Sequence, residues 1–225
     1  LCFGNATDTP TVSLRDCLLY NSPRHSQHVK KVAAIPSTCK WNHIQGLDNH
    51  LVTSCGGATK QMLFWNQTSS GWSNTDKQGS SWDYPSFLHS SSFDIDGSKK
   101  NILVTGTWER NICLWSEDGE ILYQEKSAHE DSILSMCSWD NYIASADFSG
   151  TIKIWKLHKE GTEIRLSLDS SKALHTKIYS LLALQDGDSC KLVIAGSEVV
   201  VWDISQQQTQ ILKGYSTLYA YLCRF

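Results

Sequence analysis

The stretch Ser132–Leu157, SILSMCSWDNYIASADFSGTIKIWKL, contains the pattern that decides the fold. Its apolar runs ILSMC, YIASA and TIKIW are separated by Asp140-Asn141 and by the turn sequence DFSG at residues 147–150. Short runs of this kind, with turn residues between them, predict antiparallel strands joined by tight hairpins. A fourth run, EIRLSL, follows at residues 163–168, so the stretch predicts a four-stranded antiparallel sheet.

The same unit recurs along the chain, and each copy has a tryptophan at the end of its third run. Consecutive tryptophans lie 50, 40 and 47 residues apart. A histidine precedes the last three of them by 26, 26 and 27 residues, and it precedes the first by 37 residues. Four strands repeated at about 40 residues are typical of a β-propeller blade. The repeat positions are His28, Trp65, His89, Trp115, His129, Trp155, His175 and Trp202, with Asp203 after the last tryptophan.

These units resemble WD40 repeats, in which a Gly-His precedes the first strand and a Trp-Asp ends the third. The resemblance covers roughly residues 17–225, and among the four copies Trp202-Asp203 has the complete dipeptide. It implies an all-β fold class: a WD40-type β-propeller segment of about four complete four-stranded blades, with partial blades at both ends.

The resemblance also implies a buried hydrogen-bonded set in each blade, made of a Ser or Thr, the histidine, the tryptophan and a turn aspartate. That aspartate is expected six residues before the tryptophan, and none of the four copies has one there. Asp147 stands two places early. We therefore predict that the complete set is missing from every blade, which would leave the blades more dependent on apolar burial. The residues at the expected place are Thr59, Glu109, Ser149 and Gly196.

The spacing divides the chain into six segments. Residues 1–24 are predicted to end in the last strand of a preceding blade, and residues 214–225 to form the first strand of a following one. Because four blades and two edges do not close a usual seven-bladed ring, we expect further blades of a longer parent protein, or alternatively a partner, to complete the chain. The four blades are predicted at residues 25–88, with a Ser-, Gly- and Trp-rich insertion at 66–87, and at residues 89–128, 129–174 and 175–213.

Composition argues against two classes of function. A net charge of -3 does not fit a strongly basic nucleic-acid-binding domain. No apolar stretch approaches the ~20 residues that a membrane-spanning helix needs, so we predict no membrane partner. The eight cysteines form no C-x-x-C pair, and several fall in apolar runs. This pattern indicates reduced, buried thiols and predicts a cytoplasmic or nuclear location, or both.

We predict no catalytic residue, metal ligand or cofactor. The sequence DGDSC at residues 186–190 resembles a serine-protease nucleophile segment, and DIDGS at residues 94–98 resembles part of a calcium loop. Both fall at predicted hairpin tips and lack the other residues that those motifs need. The repeat histidines are interpreted as structural. The chain is therefore not predicted to be an enzyme.

A surface for partners remains, because propellers present loops on a rigid frame. We predict a non-catalytic scaffold that binds other proteins within a multiprotein complex. Two alternatives are an accessory subunit of an RNA-modifying enzyme, as some divergent WD40 proteins are for tRNA methyltransferases, and a substrate receptor of a ubiquitin ligase. RNA is the less favoured partner.

The candidate partner-binding residues are mostly aromatic and come from two places. One is the predicted insertion at residues 66–87, whose aromatic side chains could anchor a partner. In the alternative interpretation this segment supplies the missing fourth strand of the first blade. The other place is the turn between the second and third strands of two adjacent blades. The candidates are Trp72, Trp82, Tyr84, Trp108, Arg110 and Phe148.

Overall fold

Strands alone make up the regular structure of the residues that the computed structural model describes. Two short strands come first, β1 (Val12–Ser13) and β2 (Ala34–Ile35), and they pair with each other. Sixteen further strands in the described residues form four antiparallel four-stranded sheets, which we call blades 1 to 4. The described residues are 12–13, 34–35, 40–47, 50–56, 61–68, 71–80, 85–187 and 189–212.

In each blade the strands pair in chain order, each with the next. Blade 1 consists of β3 (Lys40–Leu47), β4 (His50–Gly56), β5 (Gln61–Thr68) and β6 (Gly71–Ser80). Blade 2 consists of β7 (Pro85–Ile95), β8 (Ser98–Thr107), β9 (Ile112–Trp115) and β10 (Ile121–Glu125). Blade 3 consists of β11 (Ile133–Trp139), β12 (Tyr142–Asp147), β13 (Thr151–Glu160) and β14 (Glu163–Ala173). Blade 4 consists of β15 (Ile178–Asp186), β16 (Ser189–Gly196), β17 (Val199–Asp203) and β18 (Gln208–Leu212).

The apolar cores lie between neighbouring blades. The first strands of adjacent blades contact one another, β3 with β7, β7 with β11, and β11 with β15. Successive residues of a strand point to opposite faces of its sheet. In β12, Ile143 packs in the core shared with blade 2, whereas Ala144 and Ala146 pack in the core shared with blade 4. Each blade therefore depends on its neighbours for burial, as repeats in a stacked array do.

Two predicted boundaries differ from the described strands. The predicted division after residue 88 falls inside β7, which begins at Pro85. The predicted insertion at residues 66–87 contains β6, the fourth strand of blade 1, which pairs with β5. This matches the alternative interpretation of that segment. A polar outermost strand is hard to recognise from sequence, because it pairs on one side and needs little apolar surface. Residues 214–225, predicted to begin a further blade, lie outside the described residues, as do all of residues 1–24 except β1.

Gly150 allows a close approach between blade 3 and the connection to blade 4. Its φ is +92°, and a Cβ atom built there would lie 2.2 Å from the carbonyl oxygen of Thr176. Its own carbonyl accepts a 2.9 Å hydrogen bond from the amide of Leu174. A side chain at this position would therefore separate the two segments.

We expect Gly150→Ala to lower the free energy of unfolding by about 2–4 kcal/mol, through backbone strain and the clash together. Urea unfolding would measure this. Gly161→Ala is the matched control, because Gly161 has a φ of +62° but nothing within 4 Å of an added Cβ. That control should lose only about 1–2 kcal/mol, from its left-handed backbone conformation. Equal losses in the two variants would show that the close approach at Gly150 does not exist.

Candidate partner-binding site

The repeat tryptophan lies in the third strand of each of the four described blades and is buried there. In blades 1 to 3 its indole Nε1–H donates a hydrogen bond to a hydroxyl on the second strand. This hydroxyl lies two residues after the residue that pairs directly with the tryptophan. The three bonds are Trp65 to Thr53 (2.9 Å), Trp115 to Thr105 (3.0 Å) and Trp155 to Ser145 (2.8 Å).

Blade 3 extends this contact into a complete buried chain. His129 places Nε2 2.6 Å from Ser145 Oγ and Nδ1 2.9 Å from Asp147 Oδ2. Each group can then donate once in order: the indole to Ser145, Ser145 to the imidazole, and the imidazole Nδ1–H to the carboxylate. We call Trp155, Ser145, His129 and Asp147 the polar set. The prediction that no blade contains a complete set is therefore wrong for blade 3.

The prediction was wrong because it placed the aspartate six residues before the tryptophan, whereas Asp147 lies eight residues before Trp155. Asp147 is the last residue of β12 and pairs with Ile133, so it precedes the turn. From there its Oδ1 also accepts hydrogen bonds from Ser149 Oγ (2.7 Å) and from the amide of Thr151 (2.9 Å). Burial would raise the pKa of the Asp147 carboxyl, but the hydrogen bonds from His129, Ser149 and Thr151 outweigh it and hold that pKa below its ordinary value.

Neither of the other two described repeat histidines occupies the place of His129. His89 lies in β7, with Nε2 2.8 Å from Ser138 Oγ of blade 3. His89 precedes Trp115 by the same number of residues as His129 precedes Trp155, but the two histidines are not equivalent. The hairpin between the first two strands of blade 2 is longer than that of blade 3, which makes the equal spacing a coincidence. His175 is exposed, with a φ of +52°, in the connection from β14 to β15. His28 lies outside the described residues.

Blade 4 lacks the hydroxyl that accepts the indole hydrogen bond in blades 1 to 3 and the aspartate of blade 3. Ile194 stands where the other blades have a hydroxyl, and Gly196 stands where blade 3 has Asp147. The indole Nε1–H of Trp202 is buried and finds no hydrogen-bond acceptor among the described residues. Asp203 instead stabilises the following turn, because its Oδ1 accepts hydrogen bonds from the amide of Gln206 and from Ser205 Oγ. The amide of Gln206 and the Ser205 hydroxyl lower the pKa of this carboxyl.

Two candidate residues are exposed aromatic side chains in matching turns of adjacent blades. Trp108 in blade 2 is 53% exposed, and Phe148 in blade 3 is 41% exposed. Ser132 links them, because its Oγ donates to the carbonyl of Trp108 (3.0 Å) and its own carbonyl accepts from the amide of Phe148 (2.9 Å). Lys177 Nζ lies 4.7 Å from the centre of the Phe148 ring. We call residues 107–111, 126–132, 147–150 and 174–177 the turn face.

The polar set holds the turn face in position. Asp147 directly precedes Phe148, and its carboxylate accepts a hydrogen bond from the amide of Thr151 at the end of that turn. The amide of His129 donates to the carbonyl of Arg110 (3.2 Å), whose backbone has a φ of +73°. Lys153 Nζ donates to the carbonyl of Ala128 (2.7 Å) and braces the same loop. The exposed side chains therefore stand on a backbone that buried contacts fix.

The structure brings three of the six candidates together: Trp108, Arg110 and Phe148. Trp72 lies in β6, where its backbone pairs with Gln67. Trp82 and Tyr84 lie outside the described residues. Sequence reasoning missed Ser132 and Lys177, because both act across a blade boundary and nothing in their spacing marks that contact.

The described residues contain no group of three or more His, Cys, Asp or Glu side chains that could hold a metal ion. Burial, with a smaller effect from the charge of Asp140, raises the pKa of the Cys190 thiol to about 11 and so disfavours the reactive thiolate. In the part of the chain that the structure describes, no helix has the length and apolar character to cross a membrane.

Solved structures with the same arrangement are WD40 propellers. U3-55K is 17% identical, with a TM-score of 0.57 over 81% of this chain and 54% of that one. The RRP9 WD40 repeats are 16% identical, with a TM-score of 0.57 over 80% and 53%. The β-propeller domain of Myceliophteria thermophila Cps50 (Swd1) is 11% identical, with a TM-score of 0.60 over 83% and 63%. The chain has a WD40 β-propeller fold.

The predicted fold class is thus confirmed, on four-stranded antiparallel blades and on these similarities. The chain spans about half the length of the U3-55K and RRP9 chains that it matches. No protein-family model matches the WD40 propeller segment, and no curated protein sequence does.

The pH dependence of stability tests the role of Asp147. Folding lowers the pKa of this carboxyl below its ordinary value of 3.8. Its contribution is therefore complete above about pH 4 and disappears as the pH falls through the lower folded-state value. We expect the difference in unfolding free energy between wild type and Asp147→Asn to be largest near pH ~6 and to shrink toward pH ~3.

Urea unfolding at several pH values would measure this difference. Asp169→Asn, at an exposed position of β14, is the matched control and should change stability by no more than about 0.5 kcal/mol at any of these pH values. An Asp147→Asn difference that stays constant across the range would mean that the carboxylate is not held by the polar set.

Proposed function

We propose that the protein is a non-catalytic scaffold whose turn face binds other proteins. The observation that carries this proposal is the pair of exposed aromatic rings, Trp108 and Phe148, at matching turns of neighbouring blades. A propeller fold does not itself assign a function, so the function is inferred from the residues of the turn face. Large aromatic side chains that stand exposed in fixed positions are the residues that most often dominate protein interfaces.

The fixed backbone of the turn face supports the same proposal. Ser132 joins the turns of blades 2 and 3, and the Leu174 amide joins blade 3 to the connection before blade 4. Lys177 stacks over Phe148 and extends the surface toward blade 4. Because these residues are already ordered, a partner that docks on them loses little conformational entropy at this surface.

The charges of the turn face favour protein over RNA as the partner. An RNA-binding surface needs clustered cations, whose phosphate contacts release counterions. Here acidic residues alternate with basic ones, which fits the mixed polar rim of a protein interface. The basic residues are Arg110, Lys126 and Lys177, the acidic residues are Glu109, Glu130 and Asp131, and the fourth acidic residue of the turn face, Asp147, is buried.

Affinity capture of the full-length protein from cells, with and without RNase, tests this function. We expect Trp108→Ala/Phe148→Ala to lose a defined set of companion proteins by about tenfold or more, because truncating interface anchors costs roughly 2 kcal/mol or more. The same companions should survive RNase. Melting curves should show that the variant stays folded.

The control is Ile121→Ala/Leu168→Ala, two residues that are 50% and 52% exposed on outermost strands, away from the turn face. It should keep the companion set. Companions kept by both variants would remove the turn face from the proposal. Companions lost on RNase treatment would favour the accessory subunit of an RNA-modifying enzyme instead.

A further inference from the structure

The third strand of blade 4 carries a buried polar atom that its own blade does not satisfy. Trp202 is fully buried, yet Ile194 occupies the place of the hydroxyl that accepts the indole N–H in blades 1 to 3. No described residue accepts from Trp202 Nε1. A buried donor without an acceptor has lost its hydrogen bond to water and gained none in return. Opening that returns this N–H to water is therefore less costly in blade 4 than in the others.

A lysine of blade 3 contacts the Trp202 ring, which has no hydrogen bond of its own among the described residues. Lys172 is near the end of β14, the outermost strand of blade 3, and its Nζ lies 5.1 Å from the centre of the Trp202 ring. A cation over an indole face is attracted by the negative charge of the π system. This contact crosses from blade 3 to blade 4, so it ties the tryptophan to a different sheet from its own.

The outer hairpin of blade 4 is anchored in the core by β17, which buries Val200 and Trp202, and not by its outermost strand. All five residues of β18 are exposed, whereas β14 of blade 3 buries Ile164 and Leu166. Strand β17 pairs with β16 on its inner side. The first strand, β15, is anchored separately, because the amide of Leu181 donates to Ser135 Oγ (2.9 Å). Burial of the outer hairpin therefore rests on Val200 and Trp202 of β17, and β18 adds none to it.

We propose that the hairpin β17–β18, residues 199–212, opens as a unit while the remaining blades stay folded, and that Lys172 is the latch that keeps it closed. Opening uncovers Trp202 and frees the edge of β16. A partner that binds the closed hairpin suppresses this opening by mass action, so partner binding and local folding are coupled in blade 4.

Hydrogen–deuterium exchange of the full-length protein, read by peptide mass spectrometry, tests the proposal. In wild type, peptides from residues 199–212 should exchange faster than peptides from residues 151–173, the outer hairpin of blade 3. Lys172→Gln should accelerate exchange in residues 199–212 on the order of fivefold, within the range of a partly buried cation–π contact, and leave blades 2 and 3 unchanged. Lys172→Arg keeps the cation and should retain the wild-type rate.

Two further variants separate a latch from a general loss of stability. Lys156→Gln removes a lysine that lies over a different ring, 6.0 Å from the centre of Tyr142 in blade 3, and should not affect residues 199–212. Ile194→Thr supplies a hydroxyl where Trp202 needs one. In that background Lys172→Gln should accelerate exchange by less than twofold.

Three results would overturn the proposal. The first is wild-type exchange in residues 199–212 that is no faster than in residues 151–173. The second is equal acceleration by Lys172→Gln and Lys172→Arg, since the charge would then be irrelevant. The third is an Ile194→Thr background that leaves the effect of Lys172→Gln undiminished.

Discussion

The hydrogen bond from a buried indole to a hydroxyl on the adjacent strand is the contact on which blades 1 to 3 depend. A tryptophan buries a large apolar area between two sheets, but its N–H usually needs an acceptor once it is removed from water. A Ser or Thr two residues beyond the pairing partner supplies that acceptor in blades 1 to 3. In these three blades one pair of residues therefore joins core packing to polar satisfaction.

In blade 3 further hydrogen bonds connect this buried contact to an exposed turn. Ser145 also forms a hydrogen bond with His129, in the connection from blade 2. His129 in turn forms a hydrogen bond with Asp147, at the start of the exposed turn. Three segments, β12, β13 and the connection from blade 2, are therefore joined by one chain of hydrogen bonds. The exposed ring of Phe148 follows directly, so the buried contact determines where a candidate anchor stands. Blade 4 shows the opposite case, in which an unpaired indole relies on a lysine from its neighbour.

The sequence predicts the fold well because the fold rests on burial. Strands buried on both faces read as short apolar runs, and the tryptophan in each third strand marks a core. The place of His89 could not be predicted in the same way, because hairpin length varies independently of the tryptophan spacing. Asp147 was missed because the turn, rather than a fixed count, sets its position. Cross-blade contacts such as Lys172 with Trp202 leave no periodic signal, and they appear only in the folded chain.

A double-mutant cycle between Ser145 and Trp155 tests the central contact most directly. Ser145→Ala removes the acceptor, and Trp155→Phe removes the indole N–H but keeps an aromatic ring. The measurement is the free energy of unfolding of wild type, both single variants and the double variant. A hydrogen bond between the two side chains predicts a coupling free energy of about 1–2 kcal/mol. Additive effects, with a coupling of less than about 0.3 kcal/mol, would contradict the account, because the indole and the hydroxyl would then contribute independently.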